Sequence, residues 1–112
     1  MKRLFIETNE FQACWKELGM TEDDLRQFQE HLLECPEAGP VIQGTGGVRK
    51  VRWARQGKGK SGGLRIIYID IRNRETIWLI TAFGKNEQDS LSSAEKKHIK
   101  EFVKSLYGEE EQ

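Results

Sequence analysis

Between Glu37 and Asp70 the chain carries no acidic residue, although the whole protein balances eighteen Lys and Arg against eighteen Asp and Glu. Charge is therefore sorted along this sequence rather than spread. No apolar run approaches the roughly 20 residues of a membrane span, and the first residues lack the apolar core of a signal peptide, so a cytoplasmic protein is expected. Cysteine is scarce. Cys14 and Cys35 fall in predicted helices without the CxxC or Cys/His spacing that holds zinc, and both are expected to be reduced and buried. His31 and His98 belong to separate predicted helices, where they read as ordinary surface or boundary residues, and no two carboxylates lie near the acid-free stretch. That removes the usual donor sets for a metal, and no metal or cofactor is expected. A serine or cysteine nucleophile has no recognisable partner pattern either.

What fills the acid-free stretch is cationic. Arg49, Lys50, Arg52, Arg55, Lys58, Lys60 and Arg65 lie in GTGGVRKVRWARQGKGKSGGLRIIY, where positive residues alternate with apolar ones around a glycine-rich loop. Sorted cations on extended backbone suit phosphates, and a solvated basic face is the plainer alternative. The segment GKGKS (57–61) does not make a phosphate-binding P-loop, because Ala54 stands where the first glycine belongs and a strand, not a helix, follows.

With 112 residues and 37% hydrophobic content the chain suits one soluble domain, spanning 1–112, with a frayed acidic tail at about 108–112. Arg3 to Thr8 reads as a first strand. Asn9 is placed to cap a helix whose Phe11, Cys14, Trp15 and Leu18 share one face, and Gly19 ends it. Thr21 caps a second helix, with Glu22, Asp23 and Asp24 in its first turn and Leu25, Phe28, Leu32 and Leu33 as its apolar stripe. Pro36, Gly39 and Pro40 forbid its continuation.

From Val48 to Arg55, Val51 and Trp53 share one side of a strand, and Lys50 and Arg52 the other. Leu64 to Ile71 is a central strand interrupted only by Arg65, Tyr68 and Asp70. Asn73 and Arg74 turn the chain into a strand from Glu75 to Phe83, so strands two to four form an antiparallel meander. Ser92 and Glu95 make a capping box for a last helix with Ile99, Phe102, Val103 and Leu106 as its stripe. The class is α+β, in the order β-α-α-β-β-β-α.

The end of strand two, the start of strand three and the end of strand four lie at one end of such a meander, so Arg52, Lys58, Lys60, Arg65 and Lys85 can converge. Crowded cations lower one another's proton affinity, which lets a lysine act as a base while an arginine stays charged. That pairing suits metal-free cleavage of a phosphodiester.

QGTGGVRKVRWARQGKGKSGGLRIIY and ITAFGKNEQDSL resemble the HigB-type members of the RelE group, within the RelE/ParE superfamily of toxins from bacterial toxin–antitoxin pairs; the likeness extends loosely over nearly the whole chain. The resemblance implies a RelE-like fold and a toxin that cuts messenger RNA in the ribosomal A site. It also implies a HigA-like antitoxin with a helix-turn-helix domain as partner. By position, Arg52 matches a basic residue of the second strand, Arg65 the arginine of the third, and Lys85 the basic residue after the fourth, while Lys58 and Lys60 lie in a loop that is basic in this subgroup. Arg65, Lys58, Lys60 and Lys85 are thus the expected catalytic residues, and Arg49, Lys50, Arg52 and Arg55 the expected contacts to RNA and ribosome. Several RelE nucleases place a tyrosine or histidine near the start of the last helix; here Ser90, Ser92 and Ser93 stand there, and the general base stays open. Two alternatives remain: a non-enzymatic ParE-like inhibitor of DNA gyrase, and a non-toxic nucleic-acid-binding module.

Overall fold

Four strands and three helices make up the computed structural model, which describes residues 2–54, 63–84 and 90–108. In chain order these are β1 (Leu4–Glu7), α1 (Asn9–Glu17), α2 (Glu22–Glu34), β2 (Arg49–Trp53), β3 (Leu64–Ile71), β4 (Thr76–Gly84) and α3 (Ser93–Tyr107). The expected class and element order are those observed. Among the described residues no helix is long and apolar enough to cross a membrane.

The sheet runs β1-β4-β3-β2. The expected meander is present, with β2, β3 and β4 successively antiparallel, but β1 joins the far edge parallel to β4 and makes the sheet mixed. The reason is connectional: the α1–α2 hairpin carries the chain across one face of the sheet, and a crossover of that length permits a first strand that runs the same way as the last.

Both faces of the sheet are covered. Phe11, Trp15, Phe28 and Leu32 of the helical hairpin pack on Val51, Leu64, Ile66, Tyr68, Ile77 and Leu79. On the other face Ile99 and Val103 of α3 pack on Val48, Ile67, Ile69, Ile71, Ile80 and Phe83. The central strand β3 is sandwiched between these layers, which is why its sequence is almost continuously apolar rather than alternating.

The helix ends follow local chemistry. Thr21 and Ser92 each accept from the backbone of the residue three on, Asp24 and Glu95, whose carboxylates return to the capping N–H. The cap of α1 is Thr8 rather than Asn9. Thr8 is still extended, its N–H bound to Leu79 O at 3.1 Å, so its hydroxyl is free to accept from Phe11 N at 3.0 Å and donate to Ile80 O at 2.6 Å. Cys14 is half-buried, its Sγ 3.7 Å from Thr81 Oγ1, whereas Cys35 is exposed, against expectation. It sits at the C-cap of α2, where the chain has already left the helix.

Two of the polar residues inside β3 are structural. Asp70 holds Arg3 in a two-pronged ion pair, Nε to Oδ1 at 2.7 Å and Nη2 to Oδ2 at 3.1 Å, which ties the start of β1 across β4 to β3. The Tyr68 hydroxyl, buried, is shared between Ala38 O at 2.6 Å and Pro36 O at 3.1 Å and so fixes the turn that follows α2. That turn lies hard against β2. Gly39 has a φ of +79°, and a Cβ there would stand 2.2 Å from Lys50 O.

Burial pushes the Tyr68 phenol from its ordinary 10 up to about 12. The folded state thus holds this proton more tightly than the unfolded chain, and the resulting stabilisation is complete below pH 10 and lost as pH rises towards about 12. Urea denaturation at several pH values should show that decline in the wild type and a flatter profile in Tyr68→Phe, which at neutral pH should be about 1–3 kcal/mol less stable because two part-buried carbonyls lose their donor. Gly39→Ala should destabilise by at least the ~1–3 kcal/mol typical of a strained backbone position, with the clash against Lys50 added.

Candidate nucleic-acid interface

Strand alternation decides where the cations of β2 and β3 point. Val51 and Trp53 join the cluster under the helical hairpin, so Lys50 and Arg52 face the α3 side, as expected from the sequence. Leu64 and Ile66 are fixed in the same cluster as Val51, which turns Arg65 to the α3 side as well. The register sets Arg52 directly opposite Arg65, with Phe83 on Arg65's other flank, and sets Lys50 opposite Ile67.

Like charges directly opposite each other in a sheet are destabilising. Here two arginines are held this way, one of them with only 4% of its surface exposed. Arg52 is exposed and Lys50 half-buried. The three form a cationic step that descends from solvent into the sheet.

This step lies at one end of the sheet. Trp53, Leu64 and Gly84 are paired in one row there, next to the Arg52, Arg65, Phe83 row. The candidates Arg55, Lys58, Lys60 and Lys85 lie outside the described residues. Of the other four candidates, the structure brings together Lys50, Arg52 and Arg65.

Arg49 is set apart. It belongs to the opposite face of β2, paired with Tyr68, and its Nη1 donates to Gly39 O at 2.8 Å and Glu37 O at 3.1 Å. Arg49 and Tyr68 thus clamp the same turn. The serines at the start of α3 are also unequal: the Ser92 hydroxyl is occupied by the cap to Glu95 N at 3.1 Å, and Ser90 is exposed.

Trp53 was legible only as an inward residue, yet it organises the rim of this end. Its ring meets Phe28 edge-on at 5.3 Å and His31 at 5.2 Å with a 39° tilt, so His31 is tied to the last residue of β2 before the basic segment. The i, i+3 spacing of Phe28 and His31 on α2 was the available signal.

Binding of a single-stranded RNA oligonucleotide, followed by fluorescence anisotropy at several salt concentrations, should weaken in Lys50→Ala and Arg52→Ala, each also reducing the salt slope by about one ion. Arg49→Ala should leave that affinity within a few-fold of wild type and instead lower stability by about 1–3 kcal/mol, as the carbonyls of Glu37 and Gly39 lose their donor.

The family model described as "RelE toxin of RelE / RelB toxin-antitoxin system" matches residues 5–112. Among solved structures, the chain is similar to that of an arginine-substituted mutant of E. coli toxin RelE in the free state, with 16% sequence identity and a TM-score of 0.52 over 80% of this chain and 90% of that one.

Proposed function

The chain belongs to the RelE toxin family, and on that premise we propose that it is the toxin of a toxin–antitoxin pair, a ribosome-dependent endoribonuclease that cleaves messenger RNA in the A site and acts in the cytoplasm. We place it with the HigB-type members, neutralised by a HigA-like antitoxin with a helix-turn-helix domain. The observation that carries the reading is the arginine pair. Arg52 and Arg65 stand opposite each other beside Phe83, one row from the last paired residues Trp53, Leu64 and Gly84.

In this mechanism the RNA 2′-hydroxyl attacks the adjacent phosphorus and the bond to the 5′ oxygen breaks. Negative charge grows on the phosphoryl oxygens, and Arg65, nearly desolvated in the sheet, meets it with a field little screened by water. Arg52 and Lys50 hold the backbone at the exposed part of the step. A lysine from Lys58, Lys60 or Lys85 accepts the 2′ proton, and the departing 5′ oxygen is protonated in turn. No metal is required in this scheme, since arginine supplies the charge that a metal would.

Purified protein added to a translating extract should cut mRNA and leave 2′,3′-cyclic or 3′-phosphate ends with 5′-hydroxyls. Arg65→Lys keeps the charge but loses the planar fork, and should cleave on the order of 100-fold more slowly while its thermal unfolding stays cooperative. Products with 5′-phosphates would point to water as nucleophile, and intact mRNA together with lost DNA supercoiling would favour a gyrase inhibitor.

A further inference from the structure

A groove opens between the start of α1 and the first half of α3, with a cavity of about 410 Å³. Its floor is apolar, formed by Ile80, Leu91, Ile99 and Phe102. Its rims are acidic: Glu10 rises from the first turn of α1 and Glu95 from the first turn of α3, both exposed. Among the described residues no lysine or arginine lines it, and His98 is its one basic side chain beside the two carboxylates. A smaller hollow of about 150 Å³ begins one residue further along β4, at Ala82, and carries a third carboxylate, Glu17.

Two helix N-termini border this groove, a setting that often receives an anion. Here three amides at these helix starts are bound within the chain. Phe11 N is bound by Thr8 Oγ1, Glu95 N by Ser92 Oγ, and Ser92 N by the Glu95 carboxylate at 2.8 Å. A carboxylate on each wall, Glu10 and Glu95, disfavours phosphate and favours a cationic group in the groove.

We propose that this groove docks a basic amphipathic segment of a partner protein, its apolar side chains seated on the floor and its lysines or arginines against Glu10, Glu95 and Glu17. The apolar floor supplies affinity, and the exposed carboxylates, individually weak, select the sign of the partner's charge and speed its approach. The proposal rests on the toxin reading only in identifying that partner as the inhibitor; the groove's chemistry stands without it. Docking here leaves the cationic step free, so a partner held in the groove would silence the protein by bulk rather than by filling the step.

The test uses the whole chain and a fluorescein-labelled peptide alternating leucine with lysine, alongside its leucine–glutamate counterpart. The lysine peptide should bind saturably and the glutamate peptide should not. Ala94→Trp, which fills the groove from its exposed wall, and Glu10→Lys, which reverses one rim, should each weaken binding by roughly tenfold or more, the scale of losing one good anchor. Both variants should cleave mRNA in a translating extract like the wild type, so a failure of the groove and a failure of the nuclease reading are seen in separate assays. Equal binding of the two peptides, or undiminished binding by a cooperatively unfolding Ala94→Trp and by Glu10→Lys, overturns the proposal.

Discussion

Burial of β3 on both faces is the constraint to which the rest of the structure answers. A strand sandwiched between a helical hairpin and a third helix has no solvent side on which to place polar groups. Each polar residue within it must therefore be met by a partner from elsewhere. Tyr68 reaches two carbonyls of the turn after α2, and Asp70 receives Arg3 from the sheet's far edge. Those two contacts anchor the ends of the fold farthest from each other in the sheet order. Arg65 sits under the same constraint, and the register sets it opposite Arg52, so two positive charges share one row near the end of the sheet.

The turn after α2 shows how such constraints combine. Gly39 lets the backbone come close to Lys50, Pro40 O takes the Lys50 N–H at 3.1 Å, and Arg49 and Tyr68 approach the same few carbonyls from β2 and β3. The outer side of β2 is thereby occupied: the Val41 bridge to Arg49 and the bond from Ile42 N to Val48 O continue the cover. Positioning of the cationic step thus depends on a hydrogen-bonded turn rather than on the hydrophobic layers alone.

Elements with a strong period or a local signal were legible from the residues. The bounds of β3, the Thr21 cap and the Ser92–Glu95 capping box are those the sequence predicts, and alternation in β2 correctly separates Val51 and Trp53 from Lys50 and Arg52. What the sequence withheld was set by distant contacts. Thr8 displaces Asn9 as the cap because β4 holds Thr8 extended, and the parallel seat of β1 depends on where the helical hairpin returns the chain. Arg49 reads as one more cation of the basic run, yet its neighbours in the fold, Glu37 and Gly39, offer carbonyls that only the packed turn brings within reach. The acidic groove was invisible for a similar reason, since Glu10 and Glu95 face one cavity only after α1 and α3 are placed on β4.

The pairing of β1 with β4 also has a consequence for the order in which a growing chain can become complete. Arg3 and Asp70 are 67 residues apart, and Leu4 finds its partner only at Thr76. During synthesis the first strand must wait, unpaired, until the last one has emerged. The meander that carries the arginines closes through nearer neighbours, whereas the edge strand is added across a long loop at an entropic cost. The sheet is therefore expected to close only after β4 has been made, with the first strand among the last pieces to settle.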